Sequence, residues 1–146
     1  MTAVVIDAST ALAWCFPDES SDYADSVLVA LEGKTILVPA IWALEVANAV
    51  LAGERKKRLR QPEILRFTTL LESLVVLEDL QPVGDHIGNV LPLAREYSLS
   101  AYDAAYLELS IRRSAPLATL DGKLSKAAKQ AGVKIFESPG GARRLV

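Results

Sequence analysis

The chain has 146 residues, 51% of them hydrophobic, and a formal net charge of −2; this bounds it to one domain with a sizeable core and excludes a bulk charge that would announce a nucleic-acid partner. A single cysteine, Cys15, rules out an internal disulfide framework and suits a reducing compartment, and with a single histidine, His86, there is no cluster to hold zinc, so any metal must be a hard, oxygen-liganded one. The opening MTAVVIDAS lacks the basic segment of a signal peptide, and no apolar run approaches the roughly 18 residues of a membrane helix, so the expectation is a soluble, cytoplasmic protein with no membrane partner.

In chain order, Ala3 to Ile6 is a β-branched run that reads as a strand buried on both faces, and Asp7 terminates it. Ala8 to Cys15 predicts a helix interrupted at Phe16-Pro17, and a second helix runs from about Ser20 to Glu32, closed by Gly33. Thr35 to Val38 is the next strand. Pro39 then opens a helix from Ala40 to Ala52, with Gly53 as its stop. Pro62 opens a helix to Ser73, followed by a strand from Leu74 to Leu77. Val83 to Tyr97 reads as a helix despite Gly84, Gly88 and Pro92. A helix over Ala101 to Arg113, a strand over Leu117 to Leu120, a helix over Gly122 to Ala131 and a strand over Val133 to Phe136 complete a single domain spanning residues 1–146, with 137–146 as a loose tail. Strands alternating with helices imply an α/β fold with a mainly parallel sheet covered on both faces.

In such sheets ligands sit at the carboxyl ends of the strands. Asp7 and Asp121 each end a strand. A helix of about 13 residues runs back roughly 20 Å and the strand after it returns roughly 13 Å, which brings Asp103 to the same edge as Asp121. Glu45 reaches that edge by the same reasoning. Each acid has a plainer explanation beside the functional one. Ser100-Ala101-Tyr102-Asp103 is a capping-box pattern, Asp121 is placed to cap the following helix, and Asp7 is placed as a turn or cap residue. Glu45 sits with Asn48 on a helix, AIWALEVANAVLA, that is apolar nearly all round, which predicts burial on most faces and a polar pocket holding something positive; a surface stripe or an internal ion pair is the alternative. Four acids at one edge repel unless a cation joins them, and an all-oxygen set points to Mg²⁺ or Mn²⁺, which act on phosphate esters. Ser9 and Thr119 add hydroxyls that orient ligands or phosphate, unless Ser9 is only a cap and Thr119 an ordinary strand residue.

Arg55, Lys56, Lys57, Arg58 and Arg60 form the densest basic stretch, read either as a solvated loop or as phosphate contacts beside the acids. Arg112-Arg113 and Arg143-Arg144 are weaker versions of it. His86 reads as a helix-surface residue, and Trp14, Trp42 and Tyr106 as packing rather than base stacking.

At VVIDAS, PAIWALEVANAV, SAYDAAYLELS and LATLDGKL the sequence resembles the PIN-domain ribonucleases, and more specifically the VapC toxins of VapBC type II toxin–antitoxin pairs, from Ala3 to about Phe136. The resemblance implies a three-layer α/β/α sandwich around a five-stranded sheet of order 3-2-1-4-5. It implies that Asp7, Glu45, Asp103 and Asp121 hold the metal, with Thr119 and Ser9 as accessory groups at the catalytic site. Cleavage of RNA phosphodiester bonds, a homodimer, and a cognate VapB-type antitoxin are further implications, and the basic stretch becomes a candidate contact for RNA or antitoxin. Two rivals remain. One is a nuclease-fold module that binds RNA or protein without cutting. The other is a phosphatase of the haloacid-dehalogenase type, which wants a second Asp where this chain has Ser9.

Overall fold

The computed structural model describes residues 2–137. The elements run β1 (Ala3–Ile6), α1 (Ala8–Cys15), a 3-10 turn (Pro17–Glu19), α2 (Asp22–Ala30), β2 (Thr35–Val38), α3 (Ile41–Arg55), α4 (Gln61–Glu72), β3 (Val76–Glu78), α5 (Val83–Tyr97), α6 (Ala101–Arg113), β4 (Leu117–Ala118) and α7 (Gly122–Gln130). The four strands lie in the order β3-β2-β1-β4. Every pairing is parallel, with Val4 beside Ile36, Ile6 beside Ala118 and Leu37 beside Leu77. Two helix groups flank the sheet: α2, α3 and α4 gather on α1, while α5 and α7 gather on α6. Parallel neighbours require crossover helices, and burial on both faces explains why Val4, Val5, Ile6 and all of β2 are apolar or enclosed.

Several expectations are corrected. The fifth strand contracts to a single bridge between Leu117 and Ile135, held by the Leu117 amide on Lys134 and the Phe136 amide on Leu117, so the order 3-2-1-4 keeps its place for a fifth segment without a full strand. The strand expected over Leu117 to Leu120 ends at Ala118, because the Leu120 and Asp121 amides turn to side-chain hydroxyls instead of a neighbouring strand. Gly53 does not stop α3. It lies inside the helix, where an added Cβ would stand 2.5 Å from the Phe16 ring, so glycine is there for close packing. The turn out of α3 is made by Lys57, whose φ of 61° is left-handed. The helix expected from Ser20 starts at Asp22, with the Ser21 hydroxyl accepting from the Ala24 amide. α5 runs unbroken through Gly84, Gly88 and Pro92. The tail residues 138–146, including Arg143 and Arg144, lie outside the described residues.

The burial expected all round α3 is also corrected. Trp42 and Val46 face the core, but Leu44 is 68% exposed and Ala43, Ala47 and Asn48 are open to solvent, so Asn48 does not share the enclosure of Glu45.

Candidate active site

The carboxyl ends of β1 and β4 are joined side by side. The Asp7 amide donates to the Ala118 carbonyl at 3.2 Å, so the residue that ends β1 lies against the end of β4. Asp7 is the N-cap of α1: its Oδ1 accepts from the Thr10 amide at 3.1 Å and from the Thr10 hydroxyl at 3.2 Å. The Ser9 hydroxyl spans both oxygens at 2.8 and 2.9 Å, and the Thr119 hydroxyl donates to Oδ2 at 2.5 Å. The direction of these two hydroxyls is set by their own acceptor roles. Ser9 Oγ accepts from the Leu120 amide at 3.0 Å and Thr119 Oγ1 from the Asp121 amide at 3.0 Å. Each hydroxyl therefore spends a lone pair on β4's exit and turns its proton toward Asp7. Burial drives the Asp7 carboxyl above its usual range, against the pull of Thr119, Ser9 and Thr10, which favour the charged form.

Asp121 caps α7, its Oδ1 accepting from the Lys123 and Leu124 amides at 2.8 and 3.1 Å. Asp103 lies in the first turn of α6, where the Ser100 hydroxyl caps the helix by accepting the Asp103 amide at 3.1 Å. Burial raises the Asp103 carboxyl, and the charges of Asp121 and Asp7 raise it further, with Lys123 pulling the other way. Glu45, half-buried on α3, is raised by burial first; the Tyr106 hydroxyl opposes that shift and the charges of Asp103 and Asp7 reinforce it. Asp103 thus feels the charges of Asp7 and Asp121, and Glu45 those of Asp7 and Asp103, with Lys123 offsetting them at Asp103. Among the described residues, no three carboxylate, histidine or cysteine side chains stand close enough to bind one ion directly.

The donor set still suits a hard divalent ion, because it is all oxygen and net negative, with Glu45 and Asp103 raised by burial first and by neighbouring acids second. Mg²⁺ keeps several of its waters, so ligation shared between carboxylate and water matches acids that face one space without forming a tight cage. Asp7, Glu45, Asp103 and Asp121 are the residues that would hold such an ion.

The basic stretch divides. Arg55, Lys56, Lys57 and Arg60 are exposed. Arg58 is also exposed but already paired: it bonds Asp18 at 2.9 Å and Glu19 at 2.6 Å and lies 4.3 Å over the Phe16 ring. Arg55 is also ten residues beyond Glu45 along α3, about 15 Å at helical rise, so the stretch does not border the acids directly. Arg112 and Arg113 are likewise committed, to Glu108 and Asp79. The reading of the sequence missed Tyr106, whose hydroxyl lies 2.5 Å from Glu45 Oε1; its position three residues after Asp103, on the same face of α6, was the available signal.

Residues 4–130 match the family model described as the PIN domain. The chain belongs to the PIN-domain family. It is 29% identical over 124 residues, 84% of this chain and 92% of the relative, to Ribonuclease VapC3 of Pyrobaculum aerophilum. It superposes on the crystal structure of PAE2754 from Pyrobaculum aerophilum with a TM-score of 0.63 and 27% identity, covering 86% of this chain and 79% of that one. It also matches VapBC2 from Rickettsia felis, solved bound to a DNA fragment from their promoter, with a TM-score of 0.66 and 13% identity over 92% of this chain and 98% of that one, a likeness of fold. The PIN match spans β1 to α7 and so includes all four acids; the haloacid-dehalogenase rival is set aside by it.

Proposed function

We propose that this PIN domain is a Mg²⁺- or Mn²⁺-dependent endoribonuclease, the toxin of a type II toxin–antitoxin pair, neutralised by a cognate VapB-type antitoxin. The observation that carries the reading is the Asp7 centre: a buried carboxylate at the joined ends of β1 and β4, held by four side-chain and backbone donors and raised by burial, whose charge reaches Glu45 and Asp103. The similarity to Ribonuclease VapC3 supports RNA as the substrate. A bound divalent ion would supply charge neutralisation at a phosphoryl oxygen and lower the pKa of water. The chain's own part is to hold Asp7 rigid through Ser9 and Thr119, to present Asp103 and Asp121 from helix starts, and to bring Glu45 in from α3. The amides at the starts of α1, α6 and α7 lie at the same edge and favour an anionic backbone there.

Partner surfaces belong to the same proposal. An antitoxin and a second copy of the chain would cover apolar surface left open by the monomer, notably Val83, Ile87 and Leu91 along α5. Arg55, Lys56, Lys57 and Arg60 would meet RNA or antitoxin. Among the described residues no helix is long and apolar enough to cross a membrane.

The test uses purified protein and RNA with Mg²⁺ or Mn²⁺ against a chelator control. Asn caps a helix about as well as Asp, so Asp121→Asn keeps the start of α7 while removing the charge. Cleavage is expected in wild type with metal and lost in the variant, with the melting curve little changed. Full cleavage by Asp121→Asn removes Asp121 from the site. Retained RNA binding with no cleavage by wild type under any divalent ion leaves the binding-module reading in its place.

A further inference from the structure

Tyr106 is 1% exposed, and its ring is part of the core beside Leu107 and Leu109. A phenol buried this deeply needs a partner, and its hydroxyl finds one on another helix, donating to Glu45 Oε1 at 2.5 Å. α3 packs chiefly on α1, and α6 chiefly on α5, so this bond joins two helices whose main contacts lie elsewhere. Glu45 needs such a tie. Its neighbours Ala43, Leu44, Ala47 and Asn48 are exposed and leave the side chain little packing to fix its three torsions. One turn of α6 thus presents Asp103 as a carboxylate and Tyr106 as the group that places another.

Resting on the nuclease reading above, we infer that Tyr106 is a positioning residue for the metal centre, its hydroxyl fixing Oε1 of Glu45 so that Oε2 is the oxygen presented to the divalent ion. The bond costs the site nothing in ligand capacity, because a carboxylate has two oxygens and the phenol takes one. It also ties α3 to α6 one turn beyond Asp103, so two of the acids are referred to the same helix. A freely rotating Glu would have to lose that freedom on binding, and the loss would appear directly as weaker affinity.

The test measures Mn²⁺ affinity of the full chain without RNA, by calorimetry or by the paramagnetic signal of free Mn²⁺, for wild type, Tyr106→Phe, Glu45→Gln and the double variant. Phenylalanine keeps the ring in the core and removes only the hydroxyl. Tyr106→Phe is expected to weaken Mn²⁺ binding about tenfold, roughly 1.4 kcal/mol. In the Glu45→Gln background the same change is expected to have less than a twofold effect, because the hydroxyl acts through that carboxylate. Binding by Tyr106→Phe within twofold of wild type overturns the assignment, as does an equal loss in both backgrounds. A Tyr106→Phe chain that fails to fold in chelator makes the hydroxyl structural and overturns it too. Wild type that binds no Mn²⁺ sinks the metal-centre reading itself, an outcome visible before any variant is compared.

Discussion

Thr119→Val isolates the hydroxyl that links the two strand ends. Valine has nearly the same shape, so the core is not repacked, but two hydrogen bonds disappear at a residue only 6% exposed. Asp7 loses a donor at 2.5 Å and the Asp121 amide loses its acceptor at 3.0 Å. A hydrogen bond to a charged group contributes about 1.5–3 kcal/mol, and an orphaned buried amide costs about 1–3 kcal/mol more. Asp121 is half-buried, so water reaches its amide in part and the lower end applies there. The sum is about 3 kcal/mol, which for a domain of this length lowers the melting temperature by roughly 6–12 °C. Thr119→Ser keeps the hydroxyl and loses one methyl, about 0.8 kcal/mol. Melts in chelator at neutral pH compare the two, and the Thr119→Val deficit should shrink as pH falls, since a protonated Asp7 needs fewer donors. A Thr119→Val melt within about 2 °C of wild type, or a Thr119→Ser protein as unstable as it, refutes the network.

Two other outcomes follow from the charges. Asp7, Glu45 and Asp103 all hold their protons more tightly when folded than when unfolded, so the metal-free fold binds more protons than the open chain and gains stability as pH falls through the raised values toward the ordinary carboxyl range. Asp79 runs the other way, lowered by its arginines against the pull of burial, and its contribution is lost only as pH falls below the ordinary carboxyl range, outside that window. Melting temperature in chelator should therefore rise from pH 8 to pH 5, and saturating Mg²⁺ should flatten or invert the trend; a chelator profile that climbs with pH contradicts the reading. Replacing Arg55, Lys56 and Lys57 with Ala should weaken RNA binding and reduce its log–log salt slope by roughly two, with the chelator melt unchanged, whereas Arg58→Ala should lower the melt because it unties Asp18, Glu19 and Phe16. An unaltered salt slope returns the three exposed residues to a solvated loop.

Most helices and the first strands were legible because they rest on local signals, whereas the strand order came only with the family resemblance. Ser100 and Asp121 announce helix starts by chemistry that needs no tertiary information, and β-branched runs announce enclosed strands. What failed was whatever depended on a distant neighbour. Gly53 looks like a helix stop until the Phe16 ring is seen above it. The apolar circumference of α3 reads as burial, but hydrophobicity states only that a surface wants cover, and the monomer leaves Leu44 and Leu51 open. Arg58 looks like any other member of a basic run, yet only the return of the chain past Asp18 and Glu19 decides its orientation. Tyr106 belongs to the same class, since nothing local says that its hydroxyl ends on another helix.

Capping and metal binding exclude one another at an acid only if one side chain cannot serve both. Helix N-termini carry partial positive charge and unsatisfied amides, so an acid placed there is tolerated before any cation arrives. At Asp121 both amides of α7 that it caps bond the same oxygen, Oδ1, which leaves the cap independent of Oδ2. Asp7 repeats the pattern with α1, Oδ1 accepting from Thr10 while Oδ2 is steadied by hydroxyls alone. An uncharged asparagine retains the first oxygen and replaces the second with a donor that repels a cation. At Asp121 the substitution therefore keeps the cap and removes the charge, so stability and activity separate there, whereas at Asp7 the new amide would meet the Ser9 and Thr119 hydroxyl protons and cost stability as well.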